Sequence, residues 1–142
     1  MKFYVDTSIW RDYYEDRVDN LRPLGEFAFN FFKFCKLNDY KIIISKFVVD
    51  ELKSCYPEQI IKEIFGMMEN YCLLETVETS IEYLDKARKL KSNYREVSFL
   101  DIVHAIIARE NGAVLVTRDK HFILLKDIVI SKKPEEITST WR

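Results

Sequence analysis

Lys2-Phe3-Tyr4-Val5-Asp6-Thr7-Ser8 opens the chain, and its reading decides the fold. An apolar, aromatic run stops at an acid followed by two hydroxyl residues, the composition of a strand that ends where a helix begins. Asp6 therefore stands at the C-terminal end of a strand. The same grammar returns at Lys41-Ile42-Ile43-Ile44, a β-branched run expected to be buried on both faces, with Ser45 placed to cap a helix running to about Ser54. It returns again at Ala113 to Thr117, a strand followed by a short helical turn from Asp119 to Phe122.

The segments between these are mostly helical. Pro23 opens a helix to about Asn38, and its Leu24, Phe27, Phe31, Phe32, Phe34 and Cys35 imply burial on more than one side. Pro57 restarts helix to about Asn70, residues 72 to 77 read as a strand, and Thr79-Ser80-Ile81-Glu82 has a capping-box pattern for a helix to about Lys91. Ser98-Phe99-Leu100-Asp101 begins a helix that packs Ile102, Ala105, Ile106 and Ala108 inward until Asn111-Gly112 ends it. Asp127 to Ile130 is expected to form a last short strand, and Pro134-Glu135-Glu136 a turn or short helix. Strands alternating with helices predict a three-layer α/β/α fold around a mostly parallel sheet of four to five strands.

At 142 residues, 48% apolar and 32% charged, the sequence suits one compact domain spanning residues 1–142, with three Gly and three Pro leaving no stretch that reads as a linker. No basic segment followed by an apolar one opens the chain, and no apolar stretch is long enough to span a bilayer, so a cytoplasmic protein without a membrane partner is expected. Cys35, Cys55 and Cys72 are odd in number and lack CxxC spacing, which argues against disulfides and structural zinc and predicts buried free thiols. The formal net charge is −1, and a carboxylate site would mask basic residues elsewhere, so the total neither supports nor excludes a nucleic-acid partner.

In open parallel sheets, ligands sit where strands end at their carboxyl edge. Asp6 and Asp119 follow strands directly, while Glu51 and Asp101 enter from the first turns of helices. Gathered together, four carboxylates repel unless a cation neutralises them. Their hard oxygen donors suit Mg2+ or Mn2+, an ion able to activate water against a phosphodiester. Each acid also has a local role open to it: Asp6 and Asp119 as helix N-caps, Asp101 with Ser98 in a capping box, and Glu51 as a solvated residue beside Asp50. Adjacent helical positions point about 100° apart, so Glu51 and Asp50 do not both face one ion.

Four strings around these acids, Tyr4-Val5-Asp6-Thr7-Ser8, Val48-Val49-Asp50-Glu51-Leu52, Leu100-Asp101-Ile102-Val103-His104-Ala105-Ile106-Ile107-Ala108 and Val116-Thr117-Arg118-Asp119-Lys120-His121-Phe122, resemble in order the pattern of PIN-domain nucleases, especially the VapC-type toxin branch. The resemblance implies a metal-dependent endoribonuclease with Asp6, Glu51, Asp101 and Asp119 as metal-holding acids. It also implies an RNA substrate such as tRNA or rRNA, an antitoxin laid across the cleft, and a homodimer. Many relatives carry a further acid where this chain has His121, which weakens the case for a second metal.

Ser8 and Thr117 are the favoured supporting residues, orienting a site carboxylate or a metal-bound water. Arg11, Lys46, Arg118 and Lys120 lie near the motifs and are candidates for RNA phosphates. His104, one turn after Asp101, is open to a place at the cleft, with a packed or surface role favoured, and His121 is read as a loop or packing residue. Trp10 and the aromatic helix are open to base stacking or partner binding, with core packing favoured. Two rival functions stay open, a stand-alone PIN ribonuclease in RNA processing and a non-catalytic nucleic-acid-binding module. A dehalogenase-like phosphatase would want an acid two residues after Asp6, where Ser8 stands.

Overall fold

The computed structural model describes residues 1–78 and 80–140, with Thr140 by its backbone alone. In chain order these form β1 (Lys2–Val5), α1 (Thr7–Glu15), β2 (Val18–Asp19), β3 (Arg22–Pro23), α2 (Leu24–Asn38), β4 (Lys41–Ser45), α3 (Lys46–Lys53), α4 (Glu58–Asn70) and β5 (Leu74–Val77). Then come α5 (Ile81–Lys91), α6 (Phe99–Glu110), β6 (Val114–Val116), a 3-10 helix (Lys120–Leu125), β7 (Ser131–Lys132) and α7 (Pro134–Thr140).

Five strands make one sheet in the order β5-β4-β1-β6-β7, every pairing parallel. Flanking helices complete the three-layer fold. Tyr4 of β1 stands in register with Ile43 of β4 and Leu115 of β6, and all three are fully buried, as strands covered on both faces require. The chain leaves β1 toward β4 and β5, then returns on the other side as β6 and β7. Strand order therefore reverses beside β1, which opens a crevice at the carboxyl ends of β1 and β6.

Aromatic packing locks α1 and α2 over this edge. Trp10 stacks on Phe32 at 4.7 Å and meets the edge of Phe65 at 4.8 Å, while Phe31 meets Phe3 edge-on at 5.2 Å. Trp10, Phe31 and Phe32 have no exposed surface, so they are core residues and not base-stacking platforms. Gly25 sets how closely the helices approach: a Cβ there would lie 2.4 Å from the Asp16 carboxylate and 2.5 Å from its Cα.

Four details differ from the sequence reading. The last strand is Ser131–Lys132, not Asp127 to Ile130, because the 3-10 helix ends in a turn in which Ile128 and Val129 both donate to the Leu125 carbonyl. That turn tucks Ile128 and Val129 into the core without a strand. The β2–β3 hairpin carries no sequence signal, since its two turn residues, Asn20 and Leu21, adopt positive φ without a glycine to announce it. Cys35 is buried, but Cys55 and Cys72 are exposed because they fall in the turns after α3 and α4. Finally, Ser80 caps α5, its hydroxyl accepting from the Glu82 amide at 3.1 Å, and Thr79 of the expected capping box lies outside the described residues. Among the described residues, no helix is long and apolar enough to cross a membrane.

Candidate active site

The site is assembled from strand ends and helix starts. Asp6 directly follows β1, and its amide donates to the Val116 carbonyl of β6 at 3.0 Å, tying the two strand ends together. As the N-cap of α1 it accepts from the Thr7 amide at 2.8 Å. Its second carboxylate oxygen accepts from the Ser8 hydroxyl at 3.2 Å and the Thr117 hydroxyl at 2.8 Å. Thr117, just past β6, also accepts from the Asp119 amide at 3.0 Å, so one hydroxyl fixes two acids. Asp119 caps the 3-10 helix by accepting from the His121 amide at 2.9 Å, and His121 Nδ1 lies 2.9 Å from the same oxygen. The Ser98 hydroxyl accepts from the Asp101 amide at 3.1 Å, which sets the first turn of α6. The capping roles and the gathering of acids are thus the same geometry, because helix starts point at the crevice.

Asp6, Glu51, Asp101 and Asp119 line one cleft of about 450 Å3, joined by Ser8, Arg11, Arg17 and Arg118. Within it, ligand-capable atoms of Asp6, Glu51 and His104 lie within 4.8 Å of one another, as do those of Asp101, Asp119 and His121. The four acids therefore form two neighbouring groups along one cleft, each with a histidine. Asp50 is exposed on α3 and does not line the cleft.

The electrostatics follow from this crowding. Burial, reinforced by the Glu51 charge and opposed by His104 and the Thr117 bond, raises the Asp6 carboxyl above the usual range. Burial, opposed by Ser98 and reinforced by Asp119 and Asp6, raises Asp101 as well. Glu51 goes the other way: burial pushes it up, but the hydrogen bond and charge of His104 outweigh that and lower it. No Lys or Arg forms a salt bridge with any of the four acids among the described residues. Hard oxygen donors held in common, with no lysine or arginine paired to them among the described residues, suit a divalent cation.

The basic residues divide. Arg118 lines the cleft, yet its guanidinium makes a two-pronged pair with Glu135 of α7 at 2.7 and 2.9 Å. It also pairs with buried Asp12 of α1 at 3.4 Å and lies over the Phe27 ring. It acts as a clamp between helices. Arg11 faces the cleft from α1 beside Glu15 and Tyr56. Lys46 does not line the cleft, and Lys120 lines a neighbouring groove of about 430 Å3 with Arg22, Lys132 and Lys133.

Sequence reasoning missed Arg17, which enters the cleft and reaches Asp12 at 3.7 Å, because it follows α1 in a loop that no pattern marked. It also favoured a packed or surface role for His104 over a place at the cleft. His104 is buried, but its Nε2 meets Glu51 at 2.5 Å, and the available signal was its place one turn after Asp101 on the same helix face.

Fold and cleft together define an α/β protein with an acidic, oxygen-donor site at the carboxyl edge of a parallel sheet. The PIN domain model matches residues 3–127, and the chain belongs to that family. No curated protein compared with the sequence matches it. Among solved structures, the chain resembles one in the crystal structure of VapBC2 from Rickettsia felis bound to a DNA fragment from their promoter. The TM-score is 0.63 at 22% identity, with 94% of this chain and 98% of that chain covered.

Proposed function

We propose that this chain is a single-domain, divalent-metal-dependent endoribonuclease serving as the toxin of a type II toxin-antitoxin pair, with Asp6, Glu51, Asp101 and Asp119 as its metal-holding acids. The observation that carries the reading is the convergence of these four side chains on one cleft, each fixed by its own hydrogen bonds or helix start. Asp6, Glu51, Asp101 and Asp119 would hold the cation, which would supply the charge needed to activate water and stabilise a leaving oxygen. The chain's own residues do the rest. Ser8 and Thr117 hold the Asp6 carboxylate in one orientation, and Thr117 sets the Asp119 backbone.

Arg11 and Arg17 bring positive charge to the cleft, where a phosphodiester must approach four acids. Beyond Asp119, the groove lined by Lys120, Lys132 and Lys133 offers a path for the RNA backbone. Support for a protein partner comes from an apolar groove of about 180 Å3 between α2 and α4, where Phe29 and Tyr71 stand 45% and 41% exposed. An antitoxin segment is the proposed occupant, and a homodimer the proposed assembly.

The test is purified protein incubated with end-labelled total RNA, with Mg2+ or Mn2+ or with chelator, followed by mapping of the cut ends. Cleavage that needs the metal, leaves 5′-phosphates and disappears in Asp6→Asn is the expected result. Metal-independent cleavage, or none with either ion, removes the nuclease reading. Replacing Lys120, Lys132 and Lys133 by Gln is expected to flatten the salt dependence of RNA binding by about 0.7 in log–log slope for each phosphate that is no longer neutralised.

A further inference from the structure

A chain of buried polar groups runs behind the cleft, and the nuclease reading uses only its last bond, to Glu51. The Ser45 hydroxyl accepts from the Val48 amide at 3.4 Å and lies 2.7 Å from the Tyr4 hydroxyl. The Tyr4 hydroxyl lies 2.6 Å from His104 Nδ1, and His104 Nε2 lies 2.5 Å from Glu51 Oε1. Ser45 and His104 are each 2% exposed and Tyr4 is fully buried, whereas the Glu51 carboxylate opens on the cleft. Three elements that share no local sequence, β1, the β4–α3 junction and α6, thus form one chain that ends on an oxygen of Glu51.

We infer that His104 is a positioning residue for the cation site, holding Glu51 in one orientation, and that Tyr4 and Ser45 hold His104. The bonding order follows from what each group can donate. An ionised carboxylate only accepts, so Nε2–H donates to Glu51. With the imidazole neutral, Nδ1 accepts from the Tyr4 O–H, the Tyr4 oxygen accepts from the Ser45 O–H, and the Ser45 oxygen accepts from the Val48 N–H. Every donor meets an acceptor, which is what a buried polar chain requires in order not to cost stability.

The arrangement also decides between two roles for His104. Its ring atoms lie within 4.8 Å of ligand atoms of Asp6 and Glu51, close enough to suggest a metal ligand. Both nitrogens are already engaged, however, and a nitrogen carrying its proton toward Glu51 has no lone pair for an ion. His104 therefore acts through Glu51, which lines the cleft. Glu51 sits on a flexible side chain at the second turn of α3, and a hydrogen bond from a buried ring removes that freedom before any ion arrives.

The proposal rests on the cation reading of the cleft, so it is tested by Mn2+ binding to the RNA-free protein, measured calorimetrically and by electron paramagnetic resonance. His104→Ala is expected to weaken Mn2+ binding by about tenfold or more. His104→Gln recovers part of the loss, because its amide can still donate toward Glu51. Tyr4→Phe, a nearly isosteric change distant from the ion, also weakens binding, with its fold checked by circular dichroism. In 15N spectra of the wild type at pH 8, His104 shows a protonated Nε2 and an accepting Nδ1, a preference that Tyr4→Phe reduces.

A double-mutant cycle then separates positioning from ligation. In a Glu51→Gln background, His104→Ala adds little further loss if His104 works through Glu51. An undiminished loss in that background, or wild-type Mn2+ affinity in both His104→Ala and Tyr4→Phe, overturns the proposal while leaving the cation reading standing. A wild-type protein that binds no Mn2+ overturns the cation reading and this proposal with it.

Discussion

Replacing Asp101 by Asn should make the metal-free protein more stable and the metal-loaded protein less stable than the wild type. Asp101 lies in the first turn of α6, and burial together with the Asp119 and Asp6 charges raises its carboxyl above the usual range. A raised folded-state pKa means that the folded chain holds the proton more tightly than the unfolded one. The associated stability is present below the ordinary aspartate value of about 3.9 and is lost as pH rises through the raised value. At pH 7.5 the ionised carboxylate is therefore a net cost.

The size of that cost follows from the geometry. Ligand atoms of Asp101 and Asp119 lie within 4.8 Å of each other. At that separation two unit charges repel by about 0.9 kcal/mol even at the dielectric constant of water, and by about 3.5 kcal/mol at an effective value of 20. The exposure of Asp119 favours the lower end, and losing an acid from a helix N-terminus takes back about 0.5 kcal/mol. A net gain of about 0.4 kcal/mol remains at that end, or roughly 1 °C in melting temperature for a chain of this length.

With Mn2+ at a hundred times its dissociation constant, the wild type gains about 2.7 kcal/mol, which Asn cannot match as a ligand. The order of melting should then invert. Scanning calorimetry of both proteins at low salt, in chelator and in Mn2+, checks this. Asp101→Asn melting below the wild type in chelator, or an equal Mn2+ shift in both, would refute the reasoning.

Glu51→Gln should behave oppositely without metal. Although burial pushes Glu51 up, His104 lowers it, so its stabilising effect is present above the ordinary glutamate value of about 4.3 and fades as pH falls through the folded value. Urea titrations should show the variant about 1 kcal/mol less stable at pH 7.5, with the gap closing as the pH falls below the lowered folded value. Arg118→Ala removes the clamp on Asp12 and Glu135 and leaves Asp12 buried without that partner, which should cost about 3 kcal/mol in the same assay. Gly25→Ala forces a methyl group against the Asp16 backbone, and about 1–3 kcal/mol of destabilisation is expected from denaturant midpoints at unchanged slope.

Periodicity and turn chemistry made most of the framework legible in advance. The apolar runs of β1, β4 and β6, each ending at a polar residue, announce parallel strands with helices starting at one edge, and the caps Asp6, Ser45 and Ser98 stand where a helix signal should stand. Short-range rules were weaker where the chain turns without glycine, at Asn20-Leu21, or where apolar residues fill a turn, at Ile128-Val129. At Ile128-Val129 tertiary packing, not local preference, selects the conformation, whereas the exposed Asn20-Leu21 turn is closed by the β2–β3 pairing.

What the sequence determined by itself was the set of acids and the end of the sheet to which they belong, because strand ends and helix starts are local properties. Only the tertiary structure decided how those acids are oriented and which cations remain to face a substrate. Arg118 became a clamp because Glu135, seventeen residues away, folds back beside it, while Arg17 entered the cleft from an unmarked loop. His104 became Glu51's partner because parallel pairing brings Tyr4, 100 residues away in the chain, to its other side, with Ser45 behind it. Hydrogen bonds between such distant residues depend on where a strand order reverses, and that is a property of the assembled sheet.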